Sequence, residues 1–363
     1  VAFTYYKSVT VDHTQCGTSD SSNFPVSIWI TDADFKTVGN GGYVQNSNGY
    51  DIRPYADSGL TTPLTFELVP TTYVATTGAF EMHVQIPTLS HTSDTVFYLA
   101  FGDSGISTDG SSSAVWSSAN YYAVYHNANG STLALTDSSG LGYNLTNHNS
   151  ATAVAGLIDG AVHTDLSSSQ YLSNSSSAIQ IGSGANFQLS GWINRSSTSI
   201  PMSFGYGTTP GYRNNLHVYI DGNTYITQES DGINLHYEAY MDGNTGWTLY
   251  HYIGFLFLSQ VFLDFYINGV LQTPTGGAGS HQSALPSAAN LGDYVFGRET
   301  ASLIYNTGDF DEMRCAQVGQ SADWILSEYN SQKPGSTFLS FGALTPIGGG
   351  GTGSPHMLLL GLG

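Results

Sequence analysis

Residues 264–274, DFYINGVLQTP, decide the fold: apolar and polar positions alternate up to Asn268-Gly269, and the alternation then resumes. Alternation sends successive side chains to opposite faces of a strand, and Asn-Gly accepts the positive φ angles that a two-residue hairpin demands. The stretch is a hairpin between two half-buried strands. Downstream lie GDFDEMR (308–314), a further short strand, and SADWILSEYNSQKPG (321–335), the clearest helical segment. There Ser321 stands at the N-cap, Trp324, Ile325 and Tyr329 recur at helical spacing, and Pro334-Gly335 stops the helix. Its Trp and Ile are expected to pack on a sheet.

The rest of the chain follows the same pattern. VSIWITDADF, EMHVQIP and DTVFYLAFGD, and later QYLSN, FQLSGWIN, LHVYIDG, WTLYHYIGFLF and YVFGRE, are short runs rich in β-branched and aromatic residues, separated by Gly, Asn, Asp and Pro. With 43 Gly, 24 Tyr and only 10% charged residues among 363, the composition favours strands and polar turns. An all-β protein is expected: an N-terminal β-sandwich over 1–118, a second sandwich over 119–342 with one short C-terminal helix, and a Gly-rich tail over 343–363. IDGNTY and MDGNTG read as two tight turns.

Eight Lys plus Arg stand against 27 Asp plus Glu, a formal charge of -19 that repels phosphate backbones and anionic lipid. Nucleic acid is not an expected partner, and no apolar run is long enough to span a bilayer. Cys16 and Cys315 are the two cysteines. They pair if the ends of the chain meet and are separate thiols otherwise. The chain opens directly on strand-like VAFTYYKSVTV, which implies either a leader removed before Val1 or exit by another route, such as release inside a virus particle.

FQLSGWIN (187–194), WTLYHYIGFLFLSQVFLDFYINGVL (247–271), VFGRE (295–299) and FDEMRCAQVGQSADWILSEYN (310–330) resemble, in order and spacing, the laminin-G-like, concanavalin-A-like lectin/glucanase jelly roll. GLIDGAVHTDLSSSQYL (156–172) resembles that family's opening segment, with Ile158 where an aromatic is usual. YYKSVTVDHTQ, FPVSIWITDADF, VQNSNGYDIRPY, FELV, FEMHVQIPTLS, VFYLAFGD and AVW resemble a domain of unknown function that precedes such jelly rolls in bacterial surface proteins and bacteriophage structural proteins. The resemblance implies an extracellular setting, on a virion surface or secreted. It implies surface glycans or other surface proteins as partners.

Hydrolysis by such a jelly roll requires two carboxyl groups flanking the scissile bond. The glucanase pattern of Glu-x-Asp-x-Glu is absent from GDFDEMR, where simple alternation puts Asp309 and Asp311 on one face and Glu312 on the other. Asp311-Glu312 are expected to tie the strand to neighbouring loops, and His251 to be a core residue. No Gly-x-Ser-x-Gly elbow, P-loop or dinucleotide fingerprint occurs. The expected function is a non-catalytic surface adhesion or structural module of a bacteriophage virion, with a secreted glycan-binding protein or a glycoside hydrolase as alternatives.

Four tyrosines in segments read as loops, Tyr206, Tyr212, Tyr237 and Tyr240, are candidate sugar-stacking platforms. No cofactor is expected except calcium. The resemblance suggests that ion at a sheet rim, with Asp159, Asp165 and Asp309 as candidate ligands, although loops such as DADF and DGNT are also ordinary Asx turns. Met357, Leu358, Leu359 and Leu360 form an apolar tip after the glycines, suited to docking on a partner or a sister chain in a homo-oligomer.

Overall fold

A computed structural model describes residues 2–129, 132–174, 186–196, 202–207, 213–221, 224–231, 235–257, 260–278, 293–298 and 305–348. The fold is all-β, as the periodicity predicts, with strands grouped into four sheets among the described residues. In the first sandwich, strands Tyr5–Val11, Thr95–Phe101 and Arg53–Tyr55 lie side by side. They face Ser21–Thr31, Ala79–Leu89 and Phe66–Leu68. Val9, Val11, Phe24, Val26, Ile28, Met82, Val84, Phe97 and Leu99 fill the space between them.

The second sandwich pairs an eight-stranded sheet with a ten-stranded one. Leu189, Ile193, Tyr250, Tyr252, Phe265, Tyr294, Phe296, Phe310 and Met313 form its core. In the larger sheet Phe187–Arg195 runs antiparallel to both Gly246–Phe257 and Gly308–Ala316. The opening hairpin closes as read: Ile267 pairs with Val270, and Asn268 and Gly269 take φ angles of 51° and 80°. No helix among the described residues is long and apolar enough to cross a membrane.

The helix Ala322–Gln332 joins the two sandwiches. Ser321 Oγ accepts a hydrogen bond from the Trp324 amide at 3.2 Å, the cap read from the sequence. Trp324 enters the first core, edge-on to Phe24 at 4.8 Å, while Ile325 packs with Ile253 and Tyr266 of the second unit. Trp192 of the large sheet donates its indole N–H to Gln332 at 2.6 Å.

The domain boundary at 342 does not hold. After the helix the chain returns to the first sandwich, where Leu339–Phe341 and Thr345–Pro346 pair with Tyr5–Val11. Phe338 is fully buried in the first core, and the Ile347 amide donates to the Thr4 carbonyl at 2.8 Å. The physical reason is an edge strand: Tyr5–Val11 pairs with Thr95–Phe101 on one side, and residues 339–346 satisfy its other row of backbone groups. The second sandwich is thus inserted between two parts of the first.

Candidate functional site

The acidic strand Gly308–Ala316 departs from simple alternation. Ser190 faces Arg314 and Trp192 faces Asp311, so Glu312 and Met313 together oppose Gly191. This is a β-bulge, with Glu312 in the left-handed region at φ 50°. Gly191 is required at the crossing, because a Cβ there would lie 2.2 Å from Met313 Sδ. Phe310, Met313 and Cys315 therefore point into the core, while Asp311, Glu312 and Arg314 share the outer face. The expectation that Glu312 faces away from Asp311 is corrected by this extra residue.

That outer face is covered by the sheet Ser21–Thr31, Ala79–Leu89, Phe66–Leu68. Phe80, Met82, Val84 and Ile86 point into the first core, and the intervening Glu81 and His83 point toward the second sandwich. The result is a buried polar layer. His126 Nδ1 lies 2.5 Å from Glu312 Oε1, and its Nε2 lies 3.3 Å from Glu67 Oε2. His83 Nε2 is 2.9 Å from Glu81 Oε1, and its Nδ1 is 3.1 Å from Ser27 Oγ. Arg314 donates to Glu312 at 2.5 Å and to Glu328 of the helix at 2.6 Å, and His251 Nε2 is 3.0 Å from the same Glu328 carboxylate. Asp311 accepts the amides of Leu157 and Ile158, each at 2.9 Å. The expected tying role of Asp311 and the core position of His251 are both seen here.

Charge in this layer is set by competition between burial and neighbours. Burial pushes the His83 imidazole down to about 3, and the nearby positive His126 and Arg314 add to the shift. Burial also opposes a proton on His126, but the Glu312 and Glu67 carboxylates outweigh it and hold His126 well above its usual range. Glu312 is held below the carboxylate range: burial works against its charge, and His126 and Arg314 overcome that. Glu81 and Asp311 go the other way, raised well above normal by burial and then by the charge of Glu312. One network therefore holds carboxyl groups of opposite protonation preference.

Clefts open beside the layer. One of about 310 Å³ reaches Glu67 and His126 past Pro70, Thr136 and Ser138. Another of about 240 Å³ reaches Glu81 past Thr72 and Trp29. Trp29 also walls a third cleft, of about 220 Å³, together with Ser27, Ser331, Lys333, Ser336 and Phe341. Trp29 is 38% exposed, the arrangement of an aromatic platform rimmed by hydroxyl and amino groups.

The candidates read from the sequence fall elsewhere. Tyr206, Tyr237 and Tyr240 lie in the strands Met202–Gly207 and Leu235–Met241 rather than in loops. Tyr240 is 1% exposed and packs on Phe265, so it is a core residue and offers no platform. Tyr212 lies outside the described residues, as do Met357, Leu358, Leu359 and Leu360.

Asp159 and Asp165 flank opposite ends of the strand Gly160–Thr164, about 20 Å apart at ~3.3 Å per residue. Asp165 caps a short turn through the Ser167 amide at 2.7 Å, the Asx-turn role. Asp309 holds His163 at 2.6 Å and Asn194 at 2.8 Å. The three do not converge on one ion. Among the described residues, groups of metal-ligating side chains converge instead at Glu81, His83, His126 and Glu312, and at the partly exposed Asp12, His13 and Asp94.

Sequence reasoning missed the buried network. A signal was present in FEMHVQIP, where Glu81 and His83 two residues apart must share a strand face.

No family model matches the chain, and no curated protein matches it. Among solved structures, it is similar to the binding domain of botulinum neurotoxin DC in complex with rat synaptotagmin II, at TM-score 0.46 and 10% identity, covering 59% of this chain and 52% of that one. The same binding domain in complex with SialylT gives TM-score 0.44 at 12% identity, covering 59% and 52%. The receptor binding domain of botulinum neurotoxin mosaic serotype C/D gives 0.43 at 14%, covering 59% and 51%. The chain spans about half the length of these domains.

Proposed function

We propose that the protein is a non-catalytic extracellular adhesion module: a jelly roll of the laminin-G-like, concanavalin-A-like kind, inserted in the first sandwich, displayed on a virion or cell surface and binding surface glycans. The observation that carries this reading is the fate of the acidic strand. A glycoside hydrolase needs two carboxyl groups across an open cleft, about 5 Å apart for retention and about 6.5–9.5 Å for inversion. Here Asp311 and Glu312 are 0% and 2% exposed, beneath the first sandwich and bound to backbone amides, His126 and Arg314. Asp309 is occupied by His163 and Asn194.

Among the clefts described, the one walled by Trp29, Ser331, Lys333 and Ser336 offers an aromatic platform with polar groups beside it. A sugar's C–H face can stack on the indole while Ser331, Ser336 and Lys333 meet its hydroxyls. Self-association through Met357 to Leu360 belongs to the same surface-display reading, and a secreted glycan-binding protein is its counterpart without a particle.

The test is a glycan array with the full chain, followed by calorimetry on the best hit. Trp29→Ala is expected to weaken binding at least tenfold, about 1.4 kcal/mol. Release of reducing sugar that disappears in Asp311→Asn or Glu312→Gln would overturn the non-catalytic reading.

A further inference from the structure

We propose that Glu81, His83, His126 and Glu312 form a structural binding site for a divalent transition metal of zinc's class, which staples the two sandwiches together. Glu81 and His83 come from the strand Ala79–Leu89 of the first unit, and His126 and Glu312 from the second. Their ligand atoms all lie within 4.8 Å of one another. His83 Nε2 is 2.9 Å from Glu81 Oε1 and 3.9 Å from Glu312 Oε2. His126 Nδ1 is 2.5 Å from Glu312 Oε1 and 3.6 Å from Glu81 Oε1. Ligands bonded to zinc at about 2.0–2.1 Å in a tetrahedron stand about 3.3 Å apart, and these four separations bracket that value.

The outer contacts have the form that metal-bound imidazoles require. Each ring spends its remaining nitrogen on an oxygen: His83 Nδ1 on Ser27 Oγ at 3.1 Å, His126 Nε2 on Glu67 Oε2 at 3.3 Å. Such a partner fixes the tautomer and turns the other nitrogen's lone pair to the ion. Glu67 is itself held by the Trp116 indole at 2.5 Å and the Ser138 hydroxyl at 2.7 Å. Arg314 clamps Glu312 from behind, its own charge shared with Glu328.

The donor set selects the metal. Two imidazoles and two carboxylates suit zinc and its neighbours, whereas calcium takes oxygen ligands. Two neutral rings, two carboxylates and one divalent cation sum to zero charge, which matters where the four residues are at most 4% exposed. Four protein ligands leave no open position, so the site is structural and supplies no reaction. The clefts beside Glu81 and beside Glu67 and His126 give an ion two approaches.

The experiment uses the full chain with any affinity tag removed. After dialysis, elemental analysis is expected to find about one zinc per chain, and cobalt loading to give the intense visible bands of a tetrahedral site. Glu81→Gln, whose carboxamide can still hydrogen-bond His83, is expected to abolish both signals. Glu67→Gln should weaken zinc binding roughly 10–100-fold through His126, and carries the test if the first variant does not fold. His13→Ala, in the partly exposed Asp12, His13, Asp94 group, should change nothing. A chain that takes up no zinc at micromolar concentration overturns the proposal. So does zinc that survives Glu81→Gln or Glu67→Gln unchanged, or that His13→Ala removes.

Discussion

Arg314 is the residue on which the buried layer turns. It is 1% exposed and pairs with Glu312 and Glu328 at once, one carboxylate from the large sheet and one from the helix. Removing one partner of a buried ion pair leaves the other charged in a low-dielectric site, at about 3–5 kcal/mol. Arg314→Met is therefore expected to lower unfolding stability by that amount in urea titration, with the slope unchanged. The cysteines are the opposite case. Cys16 lies in the first core and Cys315 in the second, so they are separate thiols, which settles the alternative left open by the sequence. Burial pushes Cys16 up to about 11 and Cys315 up to about 12, so neither forms thiolate at pH 8. Ellman's reagent should find no reactive thiol in the native protein, and two once it is unfolded.

At the scale of elements, what was legible is what depends on neighbours in sequence. The Asn268-Gly269 turn follows from two residues that accept positive φ, and the Ser321 cap from a hydroxyl three residues before the Trp324 amide. Ser321→Ala is expected to cost about 1 kcal/mol, read as a shift in melting temperature. The direction of Glu312 was illegible because it is decided across the sheet, where Gly191 leaves room for Met313 and lets an extra residue in. The burial of Tyr240 was illegible for a similar reason. A tyrosine beside Asp242 and Gly243 reads as part of a turn until Phe265 is placed against its ring.

At the scale of the molecule, the composition and strand spacing disclosed two sandwiches but not how they interlock. The polar faces of Ala79–Leu89 and Gly308–Ala316 look in sequence like solvent faces. Each is the other's cover. The tail likewise reads as a spacer from residue 343, yet Thr345–Pro346 completes the first sheet. Two truncations separate these roles. A chain ending at Gly348 keeps every described strand and should melt as the full chain does. Light scattering on that pair tests whether Met357 to Leu360 drive self-association. A chain ending at Ser336 loses Phe338, worth about 3–5 kcal/mol as a buried aromatic, and exposes the edge of Tyr5–Val11. It should melt earlier and aggregate.

The hydrogen bond from Ile347 to Thr4 has a mechanical consequence. Tension applied between these two residues pulls across the pairing of Tyr5–Val11 with Thr345–Pro346 and then Leu339–Phe341, opening it from the Tyr5–Pro346 end before load reaches the inserted sandwich. The first sheet therefore yields before the inserted sandwich does, and the Trp29 cleft, walled by Leu339 and Phe341, lies beside the strand that takes the load.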